Sequence, residues 1–257
     1  MEFMDELCVR NCWGHMQYDH VVSDAIGNSG GILCIWDPNC FSKESVTISD
    51  SFVIIRGTWR LTGQKFLMIV VYAPQDSRDK NTLWDYLHHE ISKWKGESIV
   101  MGDFNEVRFK SDRFGSNFNV NGAYSFNSFI SRAGLVDVVL GGCRYTWSLK
   151  NASKMSKLDR FLVSENLLIS FPHLNAITLE GYLSDHRPIL LKENYFDYGP
   201  TPFRFFHHWI GMEGFSKLVE DTWKSSTSTD ENALKYLFGK LKHLKNTIRE
   251  WTKNSQQ

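Results

Sequence analysis

The sequence predicts a layered α/β domain with much antiparallel pairing, followed by a helical extension. Three observations carry this. Short runs rich in β-branched and aromatic residues crowd residues 30–72, the composition of strands. They are followed by a stretch of helical period, in which Leu83, Trp84, Leu87, Ile91 and Trp94 fall on one face. Near residue 196 the pattern changes to a Pro/Gly segment, an aromatic cluster and one long helix-patterned run. Strands and helices interleaved in this way fit a layered architecture. The expected division is residues 1–196 for the α/β domain and 197–257 for a linker and an amphipathic helical extension.

Taken in order, Gly30–Trp36 is a short apolar run opened by two glycines. Val46–Ile55 and Lys65–Tyr72 read as strands, and Thr62-Gly63 between them is a hairpin signal. The helix Asn81–Trp94 ends at Gly96, and Ser98–Met101 returns to a strand. Tyr124–Ala133 reads as the next helix, stopped by Gly134. Leu135–Leu140, Tyr145–Leu149 and Leu158–Ser164 read as strands, then a short helix runs to Ser170 and Pro172 closes it. Ile177–Leu179 is a last weak strand before Ser184–Leu191. After the linker Asp197–Phe203 and the polar break Ser225–Asp230, Asn232–Lys253 reads as a helix. Leu234, Leu237, Phe238, Leu241, Leu244, Ile248 and Trp251 lie near heptad spacing on it, opposite a Lys-rich face. The simpler expectation for this helix is packing on the domain or a partner; contact with nucleic acid is the sharper one.

Composition narrows the function classes. With 257 residues and 42% hydrophobic content the chain can bury a sizeable core. Its 29 basic and 29 acidic side chains balance, so any contact with nucleic acid must come from local patches rather than a cationic coat. No apolar run reaches membrane-spanning length, and the beginning of the sequence lacks the pattern of a signal peptide. A nuclear or cytoplasmic location is expected. Of the five cysteines, Cys8 and Cys12 precede His15 and His20, but the spacing is loose for zinc and ordinary packing is the simpler reading.

Five places show a polar group emerging from an apolar run. Tyr72 ends the strand Lys65–Tyr72. Gly102-Asp103-Phe104-Asn105 follows the next one, and period-two alternation puts Asp103 and Asn105 on one side with Phe104 opposite. Asp159 stands between Leu158 and an apolar stretch. Asp185-His186 sits before Pro188, in a segment that must bend. Asn151 lies in the loop Lys150–Lys154. A carboxylate beside an amide suits the orientation of water or a phosphate oxygen. An imidazole held by a carboxylate has a fixed tautomer and a more basic second nitrogen. Each element alone is common by chance; their joint order is not.

Val71-Tyr72-Ala73-Pro74, Gly102-Asp103-Phe104-Asn105, Leu158-Asp159-Arg160 and Ser184-Asp185-His186 together resemble the endonuclease/exonuclease/phosphatase superfamily over about residues 20–225. Gly30–Trp36, Ser111–Ser116, Arg144–Ser148 and Thr201–Ile210 add a likeness to the endonuclease domain of plant LINE-type (non-LTR) retrotransposon polyproteins. The resemblance implies a four-layer α/β sandwich, two mixed sheets face to face with helices outside. It also implies hydrolysis of a phosphodiester dependent on Mg2+, or Mn2+ in its place. Asp103 would orient or deprotonate the attacking water, Asn105 would hold that water or a phosphate oxygen, and His186 would donate to the scissile phosphate. Asp159 would orient His186, Tyr72 would contact the phosphate, and Asp185 would sit near the metal.

In that superfamily a strand carrying Asn and a second ending in a metal-binding Glu come first. Glu2 and Glu6 match neither, so the first strands of the fold and part of the metal site are expected to be missing, and the chain alone is expected to be a poor nuclease. DNA, met through its phosphates, is the expected partner, with Arg113, Arg144, Lys150, Lys154 and Arg187 as candidate contacts. The C-terminal helix would pack on a polymerase region or another chain. The alternatives are a catalytically inactive remnant or interaction module, and an inositol or lipid phosphatase of the same superfamily.

Overall fold

The computed structural model describes residues 6–14, 17–25, 30–181, 184–193, 205, 207–225 and 232–254. The chain divides into two compact units, Met1–Tyr195 and Phe196–Gln257. Glu2, His15, the linker 197–203 and most of the polar break 226–230 lie outside the described residues.

The first unit begins with helix α1 (Glu6–Trp13) and strands β1 (Asp19–Ser23), β2 (Ile32–Trp36), β3 (Phe41–Ser49), β4 (Phe52–Trp59) and β5 (Gln64–Tyr72). Helix α2 (Ser77–Lys93) leads to β6 (Glu97–Asp103) and the short β7 (Arg113–Phe114). Helix α3 (Val120–Arg132) is followed by β8 (Leu135–Asp137), β9 (Leu140–Gly141), β10 (Trp147–Ser148), β11 (Met155–Ser156) and β12 (Asp159–Ser164). Helix α4 (Glu165–Ser170), β13 (Leu174–Thr178) and β14 (Ile189–Glu193) complete it.

Six strands form the main sheet in the order β3-β4-β5-β6-β12-β8. The β5–β6 pair is parallel and the others are antiparallel. Alternation along these strands builds two cores. Ile54, Leu67, Ile69, Val71, Val100 and Leu162 face α2 and α3, meeting Leu83, Trp84, Leu87, Phe126 and Phe129. Val53, Ile55, Phe66, Met68, Val70 and Tyr72 face the other way, onto residues of β1-β2 and of the β14-β13-β9 sheet. The result is the expected α/β sandwich of mixed sheets with helices outside, followed by a helical extension.

The structure corrects several element limits. Val46–Ile55 is not one strand: a turn at Asp50-Ser51 divides it between the paired arms β3 and β4. Leu135–Leu140 breaks after Asp137, where the chain leaves the main sheet at β8 and joins β13 as β9. Tyr145–Leu149 shortens to Trp147–Ser148, part of a small β10-β11-β7 sheet among the loops. Helix α2 starts a turn earlier than its apolar stripe, because the Asp76 carboxylate accepts from the N–H groups of Arg78 and Asp79. Helix α3 likewise starts early, with Asn119 accepting from Gly122 N–H. At its other end Gly134 takes the left-handed turn (φ 61°) that a helix stop requires.

The second unit contains a 3-10 turn (His207–Gly211), α5 (Phe215–Ser225) and α6 (Ala233–Asn254). Trp209, Phe215 and Ile248 form its core, with Val219, Leu244 and Trp251 packed against it. Of the heptad residues, Leu234, Leu237, Phe238 and Leu241 remain exposed. Among the described residues no helix is long and apolar enough to cross a membrane.

Candidate active site

Three strand ends bring the first side chains together. Tyr72 is the partner of Asp103 in the β5–β6 ladder, and Asp103 is the partner of Asp159 in the β6–β12 ladder. Residues opposite one another in a ladder project from the same face, so Tyr72, Asp103 and Asp159 form one row. That face is the one Tyr72 shares with the core between the sheets. Gly102 makes the row possible. Its φ is +123°, and a β-carbon there would lie 2.1 Å from the Val71 carbonyl oxygen.

The strand ends at Asp103, so the alternation that placed Asn105 beside it stops there. Phe104 turns into the core against Trp84 and Phe126, and Asn105 adopts a left-handed backbone with φ 46°. The two polar residues meet by hydrogen bonds instead. Asn105 N–H donates to Asp103 Oδ1 at 2.8 Å, and Asn105 Nδ2 donates to the Ala73 carbonyl at 2.7 Å.

His186 arrives from the loop before β14. Its Nδ1 lies 2.9 Å from Asp159 Oδ2 and its Nε2 lies 3.9 Å from Asp103 Oδ2. The hydrogen bond to Asp159 is the main cause that raises the His186 pKa, and the surrounding carboxylates add to it against the cost of burial. Burial raises the pKa of Asp103, and the nearby Asp159 charge adds to it; the Asn105 N–H opposes both. The site therefore pairs a basic imidazole with a carboxylate that binds a proton more readily than usual.

Asp185 is more open. Trp147 Nε1 donates to its Oδ2 at 2.8 Å, which lowers its pKa. Asp185 and Ser184 line one wide depression of about 730 Å³ with Leu149, Lys150 and Asn151. Asn151 uses its amide oxygen to close its own loop, accepting from Ser153 N–H and Oγ. Lys154 is exposed in the same loop. Arg144, also exposed, stands 3.9 Å from Asp112. Arg113 donates to the Asn117 carbonyl, and Arg187 joins the site's frame through its backbone N–H, which donates to Thr146 O.

Sequence reasoning missed Thr146 and Arg160. Thr146 is fully buried, and its hydroxyl accepts from the N–H groups of Leu158 and Asp159 at 2.9 and 3.0 Å. It thus fixes the backbone from which the Asp159 carboxylate reaches His186. Arg160, also buried, donates to Asp137 Oδ2 at 2.6 Å and to Asp112 Oδ2 at 2.8 Å. Arg108 and Lys157 join this cluster on Asp137. Burial and the Arg160 charge hold the Lys157 pKa below its ordinary value. Arg160 had a signal available: it shares a strand face with Leu162, so alternation alone places a cation in the core.

Comparisons with known proteins bear on the fold. A family model described as "Endonuclease-reverse transcriptase" matches residues 66–190, the span from β5 to β14. The fold matches a Leishmania major AP endonuclease at TM-score 0.58 and 14% identity, over 74% of this chain and 75% of that one. It matches a Neisseria 3′ phosphatase, NExo, bound to a product DNA hairpin, at TM-score 0.54 and 15% identity, over 69% and 80%. The span matched by the family model is just under half of the chain, and these likenesses show the fold. The endonuclease domain of TRAS1, a telomere-specific non-LTR retrotransposon, matches at TM-score 0.51 and 15% identity, over 68% and 80%. No curated protein matches the sequence.

The donors at this cleft are of the right kind for a hard divalent cation: carboxylate and amide oxygens of Asp103, Asn105, Asp159 and Asp185. They do not make a cage. Among the described residues no three His, Cys, Asp or Glu side chains are grouped to hold a metal ion. Glu6 is an exposed residue in the first turn of α1, and Asp103 and Asp159 both face His186.

Proposed function

We propose that this chain is a phosphodiester hydrolase of the retrotransposon-endonuclease type that nicks DNA. The observation that carries the reading is His186, set between Asp159 at 2.9 Å and Asp103 at 3.9 Å. With Asp159 on Nδ1, the raised pKa of His186 favours the imidazolium, a donor for a phosphoryl oxygen. Asp103, strengthened as a proton acceptor by burial, takes the proton of the attacking water. Water oxygen bonds to phosphorus, the bond to the leaving sugar oxygen breaks, that oxygen takes up a proton from solvent, and the charge on the phosphate is met by His186. Tyr72 and Asn105 bound the same space.

Mg2+, or Mn2+, bound at Asp185 with water and phosphate oxygens would supply Lewis-acid stabilisation of the phosphate. Lys150, Lys154, Arg144 and Asn151 would meet the DNA backbone, a role supported for Lys150 and Asn151 by the depression they line with Asp185. The exposed Leu234, Leu237, Phe238 and Leu241 of α6 support packing of that helix on further polypeptide, either a polymerase region or another chain.

A second reading, a DNA-binding module without turnover, is favoured by the finding that, among the described residues, no three His, Cys, Asp or Glu side chains are grouped to hold a metal ion. Nicking of supercoiled plasmid in Mg2+ separates the two. Nicking that Asp103→Ala and His186→Ala each abolish supports the hydrolase. Salt-sensitive DNA binding with no nicking supports the module.

A further inference from the structure

We infer that Lys80 is a positioning residue for the hydrolytic loop, acting on Asn105 from the side of α2. Lys80 stands in the first turn of α2 yet is 7% exposed. Its ammonium donates to the Asn105 carbonyl at 2.8 Å and to Glu106 Oε2 at 2.9 Å. Glu106 is 3% exposed. The first turn of α3 closes over its carboxylate so tightly that a β-carbon on Gly122 would lie 2.4 Å from Oε2. The loop carrying Asn105 is thus clamped between two helices by a buried ion pair.

Such a pair gives little net stability, because apolar residues of the same volume commonly do as well. The third contact gives it a purpose. A left-handed non-glycine residue persists only where its surroundings over-determine it. Asn105 is held at three of its polar ends: N–H by Asp103, side-chain nitrogen by Ala73, carbonyl by Lys80. Of these three, the bond from Lys80 alone comes from a helix, and it alone brings a cation. Releasing it frees the peptide that follows Asn105 to rotate, and the left-handed turn that keeps Asn105 N–H on the Asp103 carboxylate is no longer fixed. A displacement of about 1 Å at a reacting group costs on the order of 10²-fold in rate.

The inference rests on the reading of Asn105 as part of a hydrolytic site, and the experiment separates the two. Full-length chains carrying Glu106→Gln, and Lys80→Met with Glu106→Gln, are compared with wild type for plasmid nicking and thermal stability. The double variant removes both buried charges together and leaves neither unpaired. Glu106→Gln keeps the Lys80 bond to Asn105 and is expected to retain turnover within about threefold, while the double variant loses about 10²-fold in kcat at unchanged KM. In an Asn105→Ala background, adding Lys80→Met with Glu106→Gln is expected to cost less than about threefold, as for residues acting as one unit. Equal losses from Glu106→Gln and the double variant, or additive losses with Asn105→Ala, overturn the inference.

If wild type does not nick DNA, the hydrolase reading falls and the positioning is read by hydrogen exchange. The Asn105 backbone amide is expected to be protected in wild type and Glu106→Gln and to exchange faster in the double variant, while Val100 in β6 stays protected. Unchanged protection at Asn105 in the double variant overturns the inference.

Discussion

His186 Nδ1 lies 2.9 Å from Asp159 Oδ2, while Asp159 is itself the ladder partner of Asp103. One imidazole therefore closes a ring that three separate strand and loop segments open. The hydrogen bond fixes which nitrogen faces the cleft, and it has a measurable pH signature.

The folded-state pKa of His186 is raised. Folding then gains from the proton at pH values below the unfolded histidine pKa, about 6.5, and loses that gain as pH rises through the folded value. Thermal melts of wild type are expected to fall across that window relative to His186→Gln. Nicking, if His186 donates as the imidazolium, falls over the same window. Asp159→Asn shifts that decline to lower pH and lowers the maximum by about 10²–10⁴-fold. A pH profile unmoved by Asp159→Asn contradicts the pairing.

Gly102→Ala tests the opening of the cleft. The left-handed backbone alone costs roughly 1–3 kcal/mol for a residue with a side chain, and the new methyl strikes the Val71 carbonyl. Chemical denaturation is expected to show a loss of at least that size. Wild-type stability in the variant removes the claim that this glycine is required.

Arg160→Met tests the cluster behind β12. It leaves Asp112 and Asp137, both largely buried, short of their main cation, at a cost of about 3–5 kcal/mol. Urea denaturation measures it. Adding Asp112→Asn is expected to recover part of the loss, since one of the stranded charges is then gone.

Lys150→Ala with Lys154→Ala tests the DNA path. Two lost phosphate contacts reduce the slope of log affinity against log salt by about 1.8. A slope equal to wild type takes both residues off the path.

The polar residues Asp103 and Asp159 were legible because each interrupts an apolar run. Their adjacency was not, since the β6–β12 pairing joins segments that no local pattern links. Asn105 was read onto the right loop by a rule that ceases to apply there, because the strand stops at Asp103 and a left-handed turn takes over. Lys80 lies ahead of the apolar stripe of α2 and has the look of a solvated first-turn charge; only the approach of the Asn105 loop buries it. Thr146 reads as an ordinary strand residue, and nothing nearby in sequence announces that its hydroxyl accepts two backbone protons. The sandwich itself was readable from alternation and helical period, whereas the break at Val138–Val139, where the chain changes layers, leaves no mark in hydrophobicity.

The pairing of Arg160 opposite Gly102 has a consequence for assembly of the fold. Were β12 to dock against β6 one position out of step, Asp159 would point at the helices and the guanidinium would enter the inter-sheet core. Asp112 and Asp137 wait on only one side of the sheet, so the misaligned chain strands a cation in hydrocarbon and two carboxylates without it. The ionic cluster thereby acts as a proofreader, penalising the misfolded alignment in which His186 would lose its Asp159 partner.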